Sequence, residues 1–317
     1  MVKKFVYGTP FETEAVVKEI PSSEGNPDYG TFSTENGFSF TTKLADDDMV
    51  FGLGEANRGI NKRGFLYISD CADDPNHVES KTSLYAAHNF IIISGKTHVG
   101  FFFDYPGTLR FDIGYTTSDT MTVSCENADL YVYMITGDSD LDIVKQFRGI
   151  IGRSYIAPKF AFGYGQSRWG YKTEDDFRTV VKKYRENHVP LDMVYMDIDY
   201  MQDYKDFTVN EERFPDFEGF VQDMKKEKIH LVPIIDAGVK VEKDYDIYEE
   251  GCEKGYFCRR EDGSYFEATV WPGWTHFPDV LNADARKWFG DKYDVLVSKG
   301  IDAFWNDMNE PSIFYSQ

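Results

Sequence analysis

The segment Met193-Val194-Tyr195-Met196-Asp197-Ile198-Asp199 is a short apolar run that ends in carboxylates, and it decides the fold. The same form returns at 231–236 and at 301–307. Between these runs, apolar residues recur at helical spacing, for example over 174–184. This alternation of strands and helices predicts a parallel sheet that is covered by helices.

A further apolar run at 160–166 brings the number of strand–helix units to four. Four units that do not close a sheet indicate the first half of a (β/α)₈ TIM barrel, since such barrels typically need about 250 residues. A complete doubly wound sheet is the competing fold. That fold is disfavoured because neither a Gly-x-Gly-x-x-Gly turn nor a phosphate loop stands where it would need one.

The residues from about 31 to 136 have a different hydrophobic pattern, with short runs of apolar or alternating apolar and polar residues separated by turn signals. This pattern is typical of an antiparallel β-sandwich. We therefore predict an N-terminal β-sandwich at 1–140 and the first four β/α units of a TIM barrel at 141–317. A stretch at about 237–280 is too long for an ordinary connection and carries a hairpin signal at 261–264, so we predict a lid-like insertion, with a purely decorative surface insertion as the alternative.

Composition excludes several classes of partner. The 317 residues carry a formal net charge of −20, and no basic stripe exists to neutralise phosphates, which argues against nucleic acid. No apolar run approaches signal-peptide or membrane-spanning length, so we expect a cytoplasmic protein without a membrane partner. The four cysteines are dispersed and the histidines lack metal-ligand spacing, so we expect no disulfide framework, metal or cofactor.

Carboxylates recur where the predicted parallel strands end: Asp197 and Asp199, then Asp236, then Asp307. In a barrel these ends converge on the catalytic mouth, although any single acid could instead cap a helix or bind loop amides. Without a Ser–His or Cys–His pair, the carboxylates point to acid–base and nucleophilic work on a neutral substrate, which glycoside hydrolysis fits. Four tryptophans near the strand ends would stack on sugars, unless they pack in the barrel core: Trp169, Trp271, Trp274 and Trp305.

The segment Trp305-Asn306-Asp307-Met308-Asn309-Glu310-Pro311 resembles the nucleophile signature of glycoside hydrolase family 31, whose α-glucosidase members carry Trp-x-Asp-Met-Asn-Glu. Further segments share the resemblance, which spans both halves of the chain: 51–55, 197–201, 206–208, 213–215 and 270–273.

The resemblance implies a role for each matching residue. Asp307 would be the nucleophile that forms a β-glycosyl ester, with net retention of the α configuration. Asp197 would hold sugar hydroxyls. The other residues predicted to bind substrate are Asp73, Trp169, Ile198, Ile235, Asp236, Trp271, Trp305 and Met308.

In this family the general acid/base is an aspartate on a later barrel strand, beyond Gln317. We therefore expect the remainder of the same enzyme as the partner that supplies it, and an isolated 1–317 chain that is inactive and poorly folded. The leading hypothesis is a retaining α-glucosidase that acts on the non-reducing end of small α-glucosides. An α-xylosidase of the same family and a non-catalytic carbohydrate-binding protein are the alternatives. The sequence leaves open the choice between α-1,4 and α-1,6 linkages and whether the protein is a homo-oligomer.

Overall fold

The computed structural model describes residues 1–71 and 73–316. The chain divides into two compact units, Met1–Tyr155 and Ile156–Gln317. Each unit has its own hydrophobic core, so each is described by itself.

The first unit contains ten strands: β1 (Val2–Tyr7), β2 (Thr31–Ser33), β3 (Phe38–Lys43), β4 (Met49–Gly52), β5 (Phe65–Ser69), β6 (Phe90–Ser94), β7 (His98–Asp104), β8 (Leu109–Ile113), β9 (Thr120–Cys125) and β10 (Leu130–Gly137). They form two five-stranded antiparallel sheets, with the orders β1-β10-β7-β6-β4 and β2-β3-β9-β8-β5. The predicted N-terminal β-sandwich is therefore confirmed.

The sandwich core follows from the alternation of side chains along each strand. In β8, Leu109, Phe111 and Ile113 are fully buried, whereas Arg110 between them is exposed. Successive side chains of a strand point to opposite faces, so one face of β8 is apolar and packs inward. Across the interior, the rings of Phe40 and Phe101 lie 4.7 Å apart between centroids.

Helix α1 (Asp140–Ile151) ends the first unit. The Ser139 side chain caps it by accepting a hydrogen bond from the Asp142 amide. The ring of Phe147 stacks on that of Phe90 in β6, with centroids 3.9 Å apart. This packing ties α1 to the sandwich, so the division falls after Tyr155 and not at 140, where the sequence pattern placed it.

The second unit is built on a parallel sheet with the order β11-β12-β13-β17. Its strands are β11 (Gly165–Gln166), β12 (Met193–Met196), β13 (His230–Asp236) and β17 (Trp305–Asp307). The predicted half of a TIM barrel is confirmed. The first and fourth strands are shorter than their apolar runs, because 159–162 forms a 3₁₀ turn and only 305–307 of the last run pairs with β13.

Helices α2 (Glu174–Glu186), α3 (Phe217–Lys226), α5 (Ala283–Lys292) and α6 (Asp294–Val297) connect these strands. Thr173 and Asp176 form a capping box at the start of α2, where three acidic residues also complement the helix dipole. Phe177 of α2 is fully buried against Phe214 and Phe220. The apolar face of each helix is thus what fixes it to the sheet.

The insertion after β13 has a fold of its own. It contains β14 (Val239–Lys240), α4 (Asp246–Lys254), β15 (Glu267–Val270) and β16 (Gly273–His276), and β18 (Tyr315–Ser316) completes its sheet in the order β14-β16-β15-β18. The predicted turn at 261–264 is present, with the Arg260 amide donating to the Ser264 carbonyl at 2.8 Å. Trp271 and Pro272 form the tip of the β15–β16 hairpin.

The helices are short. The longest, α2, has 13 residues, whereas a helix needs about 20 to cross a bilayer. Among the residues that the structure describes, no helix has both the length and the apolar character that a membrane span requires.

Candidate active site

Three carboxylates lie at the carboxyl ends of neighbouring parallel strands. Asp197 directly follows β12, while Asp236 and Asp307 are the last residues of β13 and β17. Asp236 and Asp307 are register partners. Partner residues on adjacent parallel strands lie about 4.8 Å apart and project to the same face, so these two carboxyls share one side of the sheet.

The strand register also separates the two faces of β13 and β17. Asn306 accepts a hydrogen bond from the Tyr293 hydroxyl at 2.8 Å, and Tyr293 caps helix α5, so Asn306 faces the helices. Trp305 and Asp307 therefore face the opposite side, the barrel interior.

This register tests the prediction that Ile235 of β13 binds substrate. Ile235 is the partner of Asn306 and lies on the helix face, away from Asp307. Ile234 is the partner of Trp305 and lies on the interior face. The structure therefore replaces Ile235 with Ile234 as the β13 isoleucine that neighbours the nucleophile, because the two faces alternate at every residue.

Asp197 begins a 3₁₀ turn, Ile198–Tyr200, and its Oδ1 accepts the Ile198 amide at 2.8 Å. Partial burial raises the pKa of Asp197, and the neighbouring Asp199 and Asp307 carboxyls raise it further, while this amide lowers it. The effect of Asp307 on Asp197 shows that the two carboxyls lie near each other.

Residues two apart in an extended strand share a face, so a continuous strand would place Asp199 on the same side as Asp197. The 3₁₀ turn changes this geometry, and Asp199 is 2% exposed beside Arg213, whose Nη1 lies 3.6 Å from Asp199 Oδ1. Ile198 is also buried, in the core cluster of the second unit. Of these three residues, Asp197 is therefore the one half-open to solvent.

Asp236 is almost completely buried, and burial together with the carboxyls of Asp307 and Asp197 raises its pKa to about 7. Its backbone amide donates to Asp206 Oδ1 at 2.9 Å. Asp206 is itself fully buried, and burial and Asp236 raise its pKa well above the ordinary range. Sequence reasoning assigned no role to Asp206, because it lies in an irregular loop where neither period nor strand end marks it.

The second unit also contains the aromatic residues that were predicted to bind a sugar. Trp305 donates from Nε1 to the Met196 carbonyl at 3.4 Å and packs edge-on against Tyr195. Trp271 at the hairpin tip lies 6.2 Å from Trp169 between ring centroids, and 5.0 Å from Phe314. Trp169 and Trp271 both keep exposed faces, which can stack on a sugar ring. Phe314 was not identified from the sequence.

The two remaining predicted residues have different surroundings. Met308 has φ 59°, a left-handed conformation that turns the chain sharply after Asp307, and its side chain is buried with Ala268 and Val270 beneath the insertion. Asp73 is an exposed loop residue of the first unit. Its role in substrate binding stays a prediction.

The arrangement is suited to carboxylate chemistry on a neutral, ring-shaped substrate. Asp307 is half-buried at the end of its strand, and it lies close enough to a second carboxyl, Asp197, to raise the pKa of that group. Glycoside cleavage with retention needs one carboxylate that attacks the anomeric carbon and groups that hold the sugar hydroxyls in place. The site supplies candidates for both.

Comparison with known proteins agrees with this geometry. Residues 154–317 match the glycosyl hydrolases family 31 TIM-barrel domain, and residues 11–112 match the glycosyl hydrolase 31 N-terminal galactose mutarotase-like domain. The chain therefore belongs to glycoside hydrolase family 31, as its Asp307 segment indicated.

Individual relatives are α-glucosidases and related enzymes. The chain is 37% identical to alpha-glucosidase 2 of Bacillus thermoamyloliquefaciens over 86% of its length and 35% of the relative's. It is 28% identical to an alpha-glucosidase of Saccharolobus solfataricus over 99% of its length and 46% of the relative's.

Among solved structures, the ER glucosidase II heterodimeric complex, with a catalytic subunit and the binding domain of a regulatory subunit, matches with TM-score 0.77 and 27% identity. That match covers 88% of this chain and 33% of the other. The chain thus spans between about a third and a half of the length of these relatives.

Proposed function

We propose that this chain carries the nucleophile of a retaining α-glucosidase that removes glucose from the non-reducing end of small α-glucosides. The observation that carries the proposal is the convergence of Asp197 and Asp307 at the carboxyl ends of β12 and β17. In the same unit, Trp169 and Trp271 keep exposed faces that can stack on a sugar ring. The similarity to α-glucosidases supports glucose as the sugar.

In the proposed reaction, Asp307 attacks the anomeric carbon from the face opposite the leaving group. A bond forms between a carboxylate oxygen and that carbon, the glycosidic bond breaks, and its electron pair leaves with the departing oxygen, which takes a proton from a general acid. The family resemblance assigns that acid to a later barrel strand. Water then hydrolyses the β-glucosyl ester, which restores the α configuration.

Covalent labelling tests the nucleophile without depending on the general acid. The reagent is 5-fluoro-α-D-glucosyl fluoride, because fluoride leaves with its electron pair and needs little protonation. We expect one added fluoroglucosyl group by intact mass, located on Asp307 by peptide mapping. Asp307→Asn should take no label.

Asp302→Asn is the matched control, because Asp302 is exposed and pairs with His230 just before the same strand. Labelling that persists in Asp307→Asn would refute the assignment of the nucleophile. A folded wild-type chain that binds glucose but never becomes labelled would favour a carbohydrate-binding protein.

Competing reagents then define the sugar and the linkage. Faster labelling by the corresponding 5-fluoro-xylosyl fluoride would replace glucose by xylose as the substrate sugar. Release of glucose from p-nitrophenyl α-glucoside, maltose and isomaltose by the enzyme that contains this chain would rank the linkages, and Asp307→Ala should abolish all three activities.

A further inference from the structure

The second unit contains a pair of buried carboxyls that the proposed reaction does not yet use. Asp206 and Asp236 are 0% and 1% exposed, and the Asp236 amide binds Asp206 Oδ1. No donor in the described part of the chain hydrogen-bonds to Asp206 Oδ2 or to either Asp236 carboxylate oxygen. Three of the four carboxyl oxygens are therefore buried without a donor.

Two such groups cannot both be anions at neutral pH. An isolated buried carboxylate is strongly disfavoured, and a second one beside it adds like-charge repulsion. A carboxylic acid can donate a hydrogen bond to an adjacent carboxylate, so one shared proton removes most of the penalty. The pair then titrates as a unit, with two steps that belong to both residues.

The loop that carries Asp206 is shaped to hold it in place. Asp203, Tyr204 and Phe207 all have positive φ, between 52° and 61°, a conformation that is costly for residues with side chains. The Gln202 amide donates to Thr208 Oγ1 at 2.9 Å and closes the loop. The Asp206 carbonyl also accepts the Tyr245 hydroxyl at 2.8 Å. Strained backbone of this kind persists where the surroundings fix it, often at functional sites.

The groups that face the pair are acids and phenols. Asp307 and Asp197 act on Asp236 from β17 and from the end of β12, and Tyr200 is close to both members of the pair. From the remaining elements, Tyr245 and Tyr293 face Asp206.

The two cations carried by the same loop are engaged elsewhere. Lys205 binds Glu242 at 2.6 Å, and Arg213 lies against Asp199. The Asp206–Asp236 pair therefore has acidic neighbours and no ion-pair partner among the described residues.

We propose that Asp206 and Asp236 share one proton at neutral pH, and that in this state Asp236 is kept neutral beside the Asp307 carboxylate, whereas loss of the proton disables the nucleophile. This inference rests on the proposed function. Asp236 is the register partner of Asp307, so the proton that it shares with Asp206 leaves a neutral acid next to the attacking carboxylate. An ionised Asp236 would instead repel Asp307 from about 4.8 Å along the sheet.

The test is the pH dependence of Asp307 labelling by 5-fluoro-α-D-glucosyl fluoride between pH 5 and 9. For the wild type, the labelling rate should fall above about pH 7, where Asp236 ionises. Asp236→Asn should lose this alkaline fall, because an amide of the same shape cannot ionise. Asp206→Asn should move the fall to lower pH by about one unit or more, because the like-charge partner is gone.

Asp203→Asn is the matched control, since Asp203 is exposed in the same loop, and it should keep the wild-type profile. An alkaline fall at the same pH in Asp236→Asn would overturn the inference. If Asp236 had only a structural role, Asp236→Asn would lower the labelling rate at every pH and would keep the alkaline fall.

Carboxyl ¹³C NMR of aspartate-labelled protein provides a readout that needs no activity. One signal should titrate near pH 7 in the wild type and be missing in Asp236→Asn. If every aspartate signal titrates below pH 5, proton sharing is refuted even where labelling succeeds. If no variant is labelled at any pH, the glucosidase proposal fails and the effect of Asp236 on the nucleophile fails with it, while the NMR titration still decides whether the proton is shared.

Discussion

Replacing Asp236 with asparagine should make the second unit more stable at alkaline pH and leave it nearly unchanged at acid pH. The folded chain holds the Asp236 proton up to about pH 7, whereas the unfolded chain releases it near pH 3.8. Stability is therefore lost as pH rises between these two values, because the unfolded state gains from ionisation that the folded state resists. An asparagine of the same shape cannot ionise and escapes this loss.

The magnitude follows from the size of the shift. A difference of about 3 pH units, at about 1.36 kcal/mol per unit, sets an upper limit of about 4 kcal/mol above pH 7. Coupling with Asp206 and Asp307 spreads the titration over several groups, so we expect Asp236→Asn to gain about 2 to 4 kcal/mol over the wild type at pH 8. At pH 4, which is close to the unfolded-state value of 3.8, ionisation of the unfolded chain contributes little, so the difference should be below about 1 kcal/mol.

Urea unfolding followed by tryptophan fluorescence measures this difference. All five tryptophans lie between residues 169 and 305, so the signal reports the second unit. Asp203→Asn controls for the loss of one negative charge in the same region. An equal offset between wild type and Asp236→Asn at pH 4 and pH 8 would refute the reasoning, and so would the same alkaline gain in Asp203→Asn.

Three further changes test local features of the second unit. Thr173→Ala removes the capping box of α2 and should cost about 1 kcal/mol in urea unfolding; an unchanged midpoint would show that the cap contributes nothing. Gly251→Ala should destabilise by about 1 to 3 kcal/mol despite the better helix propensity of alanine, because its Cβ would lie 2.3 Å from the Phe257 ring, and a gain in stability would contradict this packing. Burial lowers the pKa of His276 although Glu267 opposes the shift, so the wild type should lose stability as pH falls through about 6.5; thermal unfolding at pH 7.5 and 5 should show a smaller loss for His276→Gln, and an equal loss would contradict the shift.

Local sequence patterns were sufficient to predict the architecture. The alternation in strands such as β8 and the helical spacing in α2 are visible in consecutive residues. These patterns do not depend on which element packs against them. The strand-end acids Asp197, Asp236 and Asp307 could be found for the same reason, since a parallel sheet places all its carboxyl ends at one edge.

The features that were missed depend on contacts distant in sequence. Helix α1 was recognisable as a helix, but contacts distant in sequence, such as the stacking of Phe147 on Phe90, assign it to the sandwich. Ile234 and Ile235 are equally apolar. The pairing of β13 with β17 decides which of them lies on the same face of the sheet as Asp307. Asp199 does not lie on the same face as Asp197, because a 3₁₀ turn begins between them. The alternation of residues along a strand cannot predict such a turn.

The acids of this site differ in how deeply they are buried, and this difference gives them different chemical roles. The spacing of the residues in the sequence does not show how deeply each one is buried. Asp307 and Asp236 occupy paired positions on neighbouring strands, yet Asp307 is half-buried and Asp236 is 1% exposed. A nucleophile must be an anion that can reach the substrate, whereas a buried carboxyl without a donor retains its proton. The Asp206 loop fixes the amide of Asp236 at the end of β13 and so keeps that carboxyl buried beside the nucleophile. Side by side, the two carboxyls can therefore serve as an attacking carboxylate and a neutral neighbour, an arrangement that fails once pH removes the neighbour's proton.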